Sequence, residues 1–214
     1  METNNFNHTM SNDAPINDNG LSPQPMMSFK QAVSTCLANY ADFSGRARRS
    51  EYWWFSLFIF LVVLVLMAPV AVMAYLEESG GVNMDAGGWP VAFLITSIMA
   101  LIGALFVLGM LIPSLAVQVR RLHDTGRSGW WVVWNIVLSL LAAFVPMFAY
   151  GFGQAMDMDS IDTITRIGEV ALLPGILVVV TQLGEWILEI ILLVFSLLDS
   201  DKGENQYGPS PKYQ

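Results

Sequence analysis

The chain holds one cysteine, Cys36, and two histidines, His8 and His123. A lone thiol cannot close an internal disulfide, so folding does not depend on an oxidising compartment. Cys36 is instead expected as a small apolar residue on a helix face rather than as a reactive thiol. With so few sulfur and imidazole ligands, no cluster at metal-ligand spacing exists, and neither a metal nor a cofactor is expected. Charge is scarce as well. Charged residues make up 13% of the chain against 54% hydrophobic, too apolar a balance for a water-soluble globule. The net charge of −8 argues against nucleic acid as a partner, because phosphate binding needs a basic face. The apolar residues also show no period of two or 3.6 over long stretches; they come in uninterrupted blocks, the pattern of membrane spans.

Residues 1–27 are rich in Asn, Asp, Ser, Pro and Gly and cannot offset the entropy of ordering, so a disordered tail is predicted. No basic segment leading into a short apolar core stands at the start, and a cleaved signal peptide is not expected. Ser28 with Gln31 forms a capping-box pattern, and Phe29, Val33, Cys36, Leu37 and Tyr40 recur at helical spacing. A short amphipathic helix follows, either in the bilayer interface or docked on the bundle. With only Lys30 to attract lipid, docking is favoured.

Four apolar runs come next, at about 53–76, 90–119, 130–152 and 170–198. The first spans roughly 36 Å as a helix, enough for a hydrocarbon core of ~30 Å, with a kink expected at Pro69. In the second, Thr96, Ala100 and Ala104 offer a small-residue face for close helix contact. The third, with Pro146, Gly151 and Gly153 in its second half, is expected to leave the membrane early. The fourth carries two carboxylates, Glu185 and Glu189, one turn apart. The outer connections are acidic: Glu77, Glu78 and Asp85 in one, and Asp157, Asp159, Asp162 and Glu169 in the other. The fold class is therefore an all-α membrane protein, its membrane domain running over 28–211, with 212–214 as the C-terminal end.

Cations set the orientation. Lys30, Arg46, Arg48 and Arg49 precede the first run, Arg120, Arg121 and Arg127 lie between the second and third, and Lys202 and Lys212 follow the fourth. Only Arg166 falls on the other side. The positive-inside rule then places both termini and the segment RRLHDTGRSGWW, 120–131, in the cytoplasm. The pairs Trp53/Trp54 and Trp130/Trp131 would share that same interface. Each entry reads as Arg, Ser and a Trp pair, which either two related hairpins or ordinary interface chemistry arising twice would produce.

Three motifs carry a resemblance. FSGRARRSEYWW at 43–54, IPSLAVQVRRLHDTGRSGWW at 112–131 and GENQYGPSP at 203–211 together resemble the bacterial inner-membrane proteins grouped as domain of unknown function 805. The resemblance covers roughly 29–211 and implies a small multi-span inner-membrane protein. It brings no catalytic residues with it. The acidic linker at 157–169, the pair Glu185/Glu189 and the Asn-rich tail lie outside the matching motifs.

The residues themselves leave several chemistries open. Arg46, Arg49, Arg120, Arg121, His123, Asp124, Arg127, Trp130 and Trp131 form a basic, aromatic surface suited to an anionic phospholipid headgroup or a protein partner. The structural alternative pairs Asp124 with Arg46, Arg49 or Arg121, has His123 donate to a carbonyl, and leaves Gly126 and Gly129 merely to turn the chain. Glu185 and Glu189 point to a small proton- or cation-coupled transporter or channel, or else mark a helix face turned toward its neighbours. His123 with Asp124 suggests an enzyme acting on a lipid phosphate, the weakest reading because one His–Asp pair is no complete constellation. A non-enzymatic membrane protein is the leading expectation, with self-association if a solute path exists.

Overall fold

The structure, a computed structural model, describes residues 22–80, 88–155 and 172–213. Residues 1–21, residues 81–87 of the first acidic connection, the linker at 157–169 with Arg166, and Gln214 lie outside the described residues.

Among the described residues the regular elements are five helices: α1 Phe29–Ala38, α2 Arg49–Glu78, α3 Gly88–Asp124, α4 Trp130–Ala155 and α5 Leu172–Leu197. The last four are each long and apolar enough to cross a membrane. Their outward faces carry large exposed apolar side chains, among them Phe60, Val65, Leu108 and Phe144. Such a surface is stable only against lipid. The helices form two closely packed hairpins, α2 with α3 and α4 with α5, joined by sparser contacts of α5 with α2 and α3 and of α3 with α4.

Helix α1 begins as its sequence requires. The Ser28 hydroxyl accepts the Gln31 amide and the Gln31 side chain accepts the Ser28 amide, so both legs of the capping box form. The helix docks on α2 and α3: Cys36 is wholly buried with Ala47, Phe55 and Val117, and Phe29 meets Trp54 and Phe58 edge-on.

Two proline positions show how buried carbonyls are satisfied. A proline inside a helix leaves the carbonyl four residues earlier without its donor. Pro113 frees that of Gly109, and the Tyr40 hydroxyl, just past α1, donates to it. Pro146 frees that of Ala142, and the Gln182 side-chain amide of α5 donates to it at 2.9 Å. Each proline thus ties its helix to a neighbour.

The helices depart from expectation at two places, both on α3. Helix α3 continues to Asp124, so Arg120, Arg121, His123 and Asp124 form its last turn rather than a loop. Basic residues in a final turn complement the helix dipole. A Schellman closure then ends the helix, Gly126 (φ +70°) donating to the His123 carbonyl and Arg127 to that of Leu122. Helix α4 runs unbroken through Gly151 and Gly153 to Ala155, while the part of it long and apolar enough to cross a membrane is Trp130–Phe148. On α3, Ala100 and Ala104 are exposed, and the inward stripe instead holds Ala92, Thr96 and Gly103, where a Cβ on Gly103 would meet the Met67 methyl at 2.9 Å.

Candidate functional site

Short-range chemistry builds a polar cap at one end of the bundle. Gly45 (φ +74°) turns the chain into α2, and the Ala47 amide donates to the Arg120 carbonyl at 2.9 Å, docking 46–48 on the end of α3. That contact points Arg46 into the centre. All five of its N–H donors are used: Nε to Asp124 Oδ1 at 3.0 Å, Nη1 to the carbonyls of Gly203 (2.8 Å) and Gly208 (3.1 Å), and Nη2 to those of Asp124 (3.2 Å) and Asp201 (2.7 Å).

Asp124, 0% exposed, is the other half of the centre. Its Oδ2 accepts from Arg121 Nη1 and from the Ser200 hydroxyl. Arg121 in turn donates to the carbonyls of Ser196 (3.2 Å) and Leu198, which close the C-terminal end of α5. A carboxylate shared by two guanidiniums and a hydroxyl has its charge matched without solvent. The three motifs, far apart in sequence, therefore meet in one buried network.

The C-terminal segment is a strap across this cap. Tyr207 stacks on His123 with ring centroids 3.7 Å apart and 4° between planes, and the Asn205 side-chain amide donates to the His123 carbonyl at 2.9 Å. His123 Nδ1 lies 3.2 Å from the Gly45 carbonyl, an acceptor, so that nitrogen carries the proton. Arg48 donates to the carbonyls of Pro25 and Pro211, and the Gln24 amide donates to that of Lys212. Both ends of the described chain thus meet on one side of the bundle.

Arg120 stands apart from this centre. Its Nη1 meets Glu51 Oε1 at 2.8 Å, with both side chains buried, and Cys36 Sγ lies 3.7 Å from the same carboxylate. Burial above all, with the Glu51 charge next, pushes the Cys36 thiol up to about 12. Arg49 reaches outward to Asp199 at 3.0 Å, both half exposed.

The remaining candidates line the rim. The Arg127 guanidinium lies over the Phe195 ring at 4.0 Å and donates to the Thr125 carbonyl at 3.2 Å. It has no carboxylate partner among the described residues. Trp130 is 68% exposed beside it, and Trp131 meets Phe195 edge-on at 5.5 Å. A Cβ on Gly129 would fall 2.8 Å from Val119, so only glycine lets the turn press this close to α3. Glu185 and Glu189 sit elsewhere on α5, and Glu189 lines a cleft among the helices. No group of metal-ligating side chains occurs among the described residues.

Sequence reasoning missed Glu51, Ser200, Asn205 and Tyr207. Glu51 is the lone acid inside a basic motif, and Asn205 and Tyr207 stand inside the third motif, so a signal exists for these three; Ser200 lies outside every motif.

The family model described as "Protein of unknown function (DUF805)" matches residues 40–209, a range that takes in the first two cap motifs and all but the last two residues of the third. Inner membrane protein YhaI of Escherichia coli (strain K12) is 27% identical over 177 residues, covering 83% of this chain and 92% of that protein. Inner membrane protein YhaH of the same strain is 28% identical over 180 residues, covering 83% and 93%. No solved structure matches.

Proposed function

This chain belongs to the DUF805 family of inner-membrane proteins, and on that premise we propose that it is a non-enzymatic protein whose rim at Arg127, Trp130 and Trp131 holds the phosphate of an anionic phospholipid. The cap faces the cytoplasm in this reading, because the cations cluster at its end. One observation carries the proposal. Of the arginines singled out, Arg46, Arg120 and Arg121 are buried against carboxylates and carbonyls and Arg49 pairs with Asp199, whereas Arg127, partly buried, has a single carbonyl engaged and no carboxylate partner among the described residues. Phe195 fixes the plane of that guanidinium, so its remaining N–H groups are ordered for a bidentate anion. Exposed Trp130 supplies the amphipathic ring that sits at headgroup depth.

The same burial weighs against phosphate chemistry at His123 and Asp124. The Asp124 oxygens are filled by Arg46, Arg121 and Ser200, and the His123 ring is covered by Tyr207.

Native mass spectrometry of protein extracted with phosphatidylglycerol tests the rim. Arg127→Gln is expected to lower retention of that lipid by roughly fivefold to tenfold, the effect of losing one charge-assisted contact worth about 1–1.5 kcal/mol. Retention equal to the wild type contradicts the reading.

A further inference from the structure

A second polar feature lies below the cap. A cleft of about 480 Å³ opens among the long helices, lined by Tyr52 of α2, Gln118 of α3, Asn135 of α4 and Glu189 of α5, with Trp186 and Ile190 along one side. Tyr52 and Asn135 stand near the starts of α2 and α4, and Gln118 and Glu189 near the ends of α3 and α5. At 1.5 Å per residue all four fall roughly 5–12 Å inside the cap end, the depth of a headgroup and its glycerol.

Two of these groups lack what their chemistry demands. The Asn135 side-chain nitrogen is buried without a hydrogen-bond partner among the described residues. Glu189 makes no ion pair among them. A carboxylate flanked by apolar helix faces needs a cation, and a buried amide N–H needs an acceptor. The wall is amphiphilic in the same sense: Trp186 is 66% and Ile190 59% exposed, so the cleft is open sideways toward acyl chains. Glu185, one turn away, is not among the lining residues.

We propose that this cleft binds the headgroup of an aminophospholipid, its primary ammonium on Glu189 and its phosphate accepting from Asn135. A headgroup of that kind supplies both missing partners in one molecule, and its tails run along Trp186 and Ile190. Ammonium N–H groups give charge-assisted hydrogen bonds to the carboxylate; a trimethylated amine has none to give. The volume lies in the range of small-ligand clefts. The site is separate from the Arg127 rim and selects the opposite charge.

The test uses the full chain in nanodiscs holding phosphatidylethanolamine, phosphatidylcholine and phosphatidylglycerol in equal parts, followed by native mass spectrometry of the lipids retained. The wild type is expected to retain the ethanolamine lipid at least fivefold over the choline lipid. Glu189→Gln should abolish that preference while leaving phosphatidylglycerol retention at the Arg127 rim intact, which also establishes that the variant is folded. Asn135→Leu, which keeps the carboxylate, should weaken total retention of the ethanolamine lipid. Equal retention of the two lipids in the wild type overturns the proposal, as does a preference that survives Glu189→Gln. Displacement of the lipid by millimolar free ethanolamine overturns a lipid as the occupant.

Discussion

Arg46 shows why a guanidinium, and not simply a positive charge, is needed at the centre of the cap. Its planar fork reaches a carboxylate and four carbonyls on three segments of chain, and an ammonium has only three donors and no plane. Around it, buried charges and polar groups pair with one another, so the network resists partial removal more than its net contribution to stability suggests. Cys36 illustrates the opposite case, a group silenced by its surroundings. Its thiol, pushed up to about 12 by burial and by Glu51, remains protonated at ordinary pH. Maleimide at pH 8 is therefore expected to leave Cys36 unlabelled in the folded protein and to label it fully once detergent denatures the bundle. Rapid labelling of the folded protein would contradict its burial.

At the scale of elements, the prolines of α3 and α4 act as docking points. Each opens one carbonyl, and a side chain from another element fills it: Tyr40 at Gly109 and Gln182 at Ala142. Interhelical hydrogen bonds in membrane bundles average about 0.6 kcal/mol and reach about 1.7. Tyr40→Phe and Gln182→Leu should each lower stability within that range, and the pair should act additively because the two sites are separate. Thermal unfolding in micelles measures both; a stabilised variant would contradict the assignment.

The C-terminal strap has its own chemistry. Burial raises the Asp199 carboxyl, but bonds from Lys212 and the Ser200 amide, with the Lys212 and Arg49 charges, outweigh it and hold the group below its ordinary 3.8. A depressed carboxylate contributes stability that is present above 3.8 and is lost as pH falls through the lower folded value. A spin label at Gly203 should therefore be immobile at neutral pH and gain mobility only on acidification below that point. Mobility unchanged down to pH 2 would leave Asp199 with no part in holding the strap.

For the molecule as a whole, hydropathy is a local property, and the four spans with their approximate limits were legible in it. So was the start of α1, because a capping box is complete within four residues. Closure in space is not local. Spacing along the chain left Arg46, Arg49 and Arg121 as equal partners for Asp124, and only the fold selects Arg46 and Arg121 while sending Arg49 to Asp199. The segment 203–211 is legible in the sequence only as a motif, yet its backbone carbonyls supply acceptors that Arg46 requires. The end of α3 differs from expectation for a related reason: its charge suggests a loop, but the helix dipole favours a helix that continues under basic residues. Most of the basic surface thus serves the protein's own closure, while Arg127 engages one ring and a single carbonyl.

That division rests on direct coupling between Arg46 and Asp124. A double-mutant cycle with Arg46→Gln and Asp124→Asn, read as unfolding free energy in micelles, measures it. The cap predicts single losses of about 3 kcal/mol each and a coupling of roughly 1–3 kcal/mol, so that the double variant loses about 3–5 kcal/mol rather than the sum of the two. Losses that simply add, with coupling below about 0.5 kcal/mol, would mean the two side chains do not meet in a common buried network.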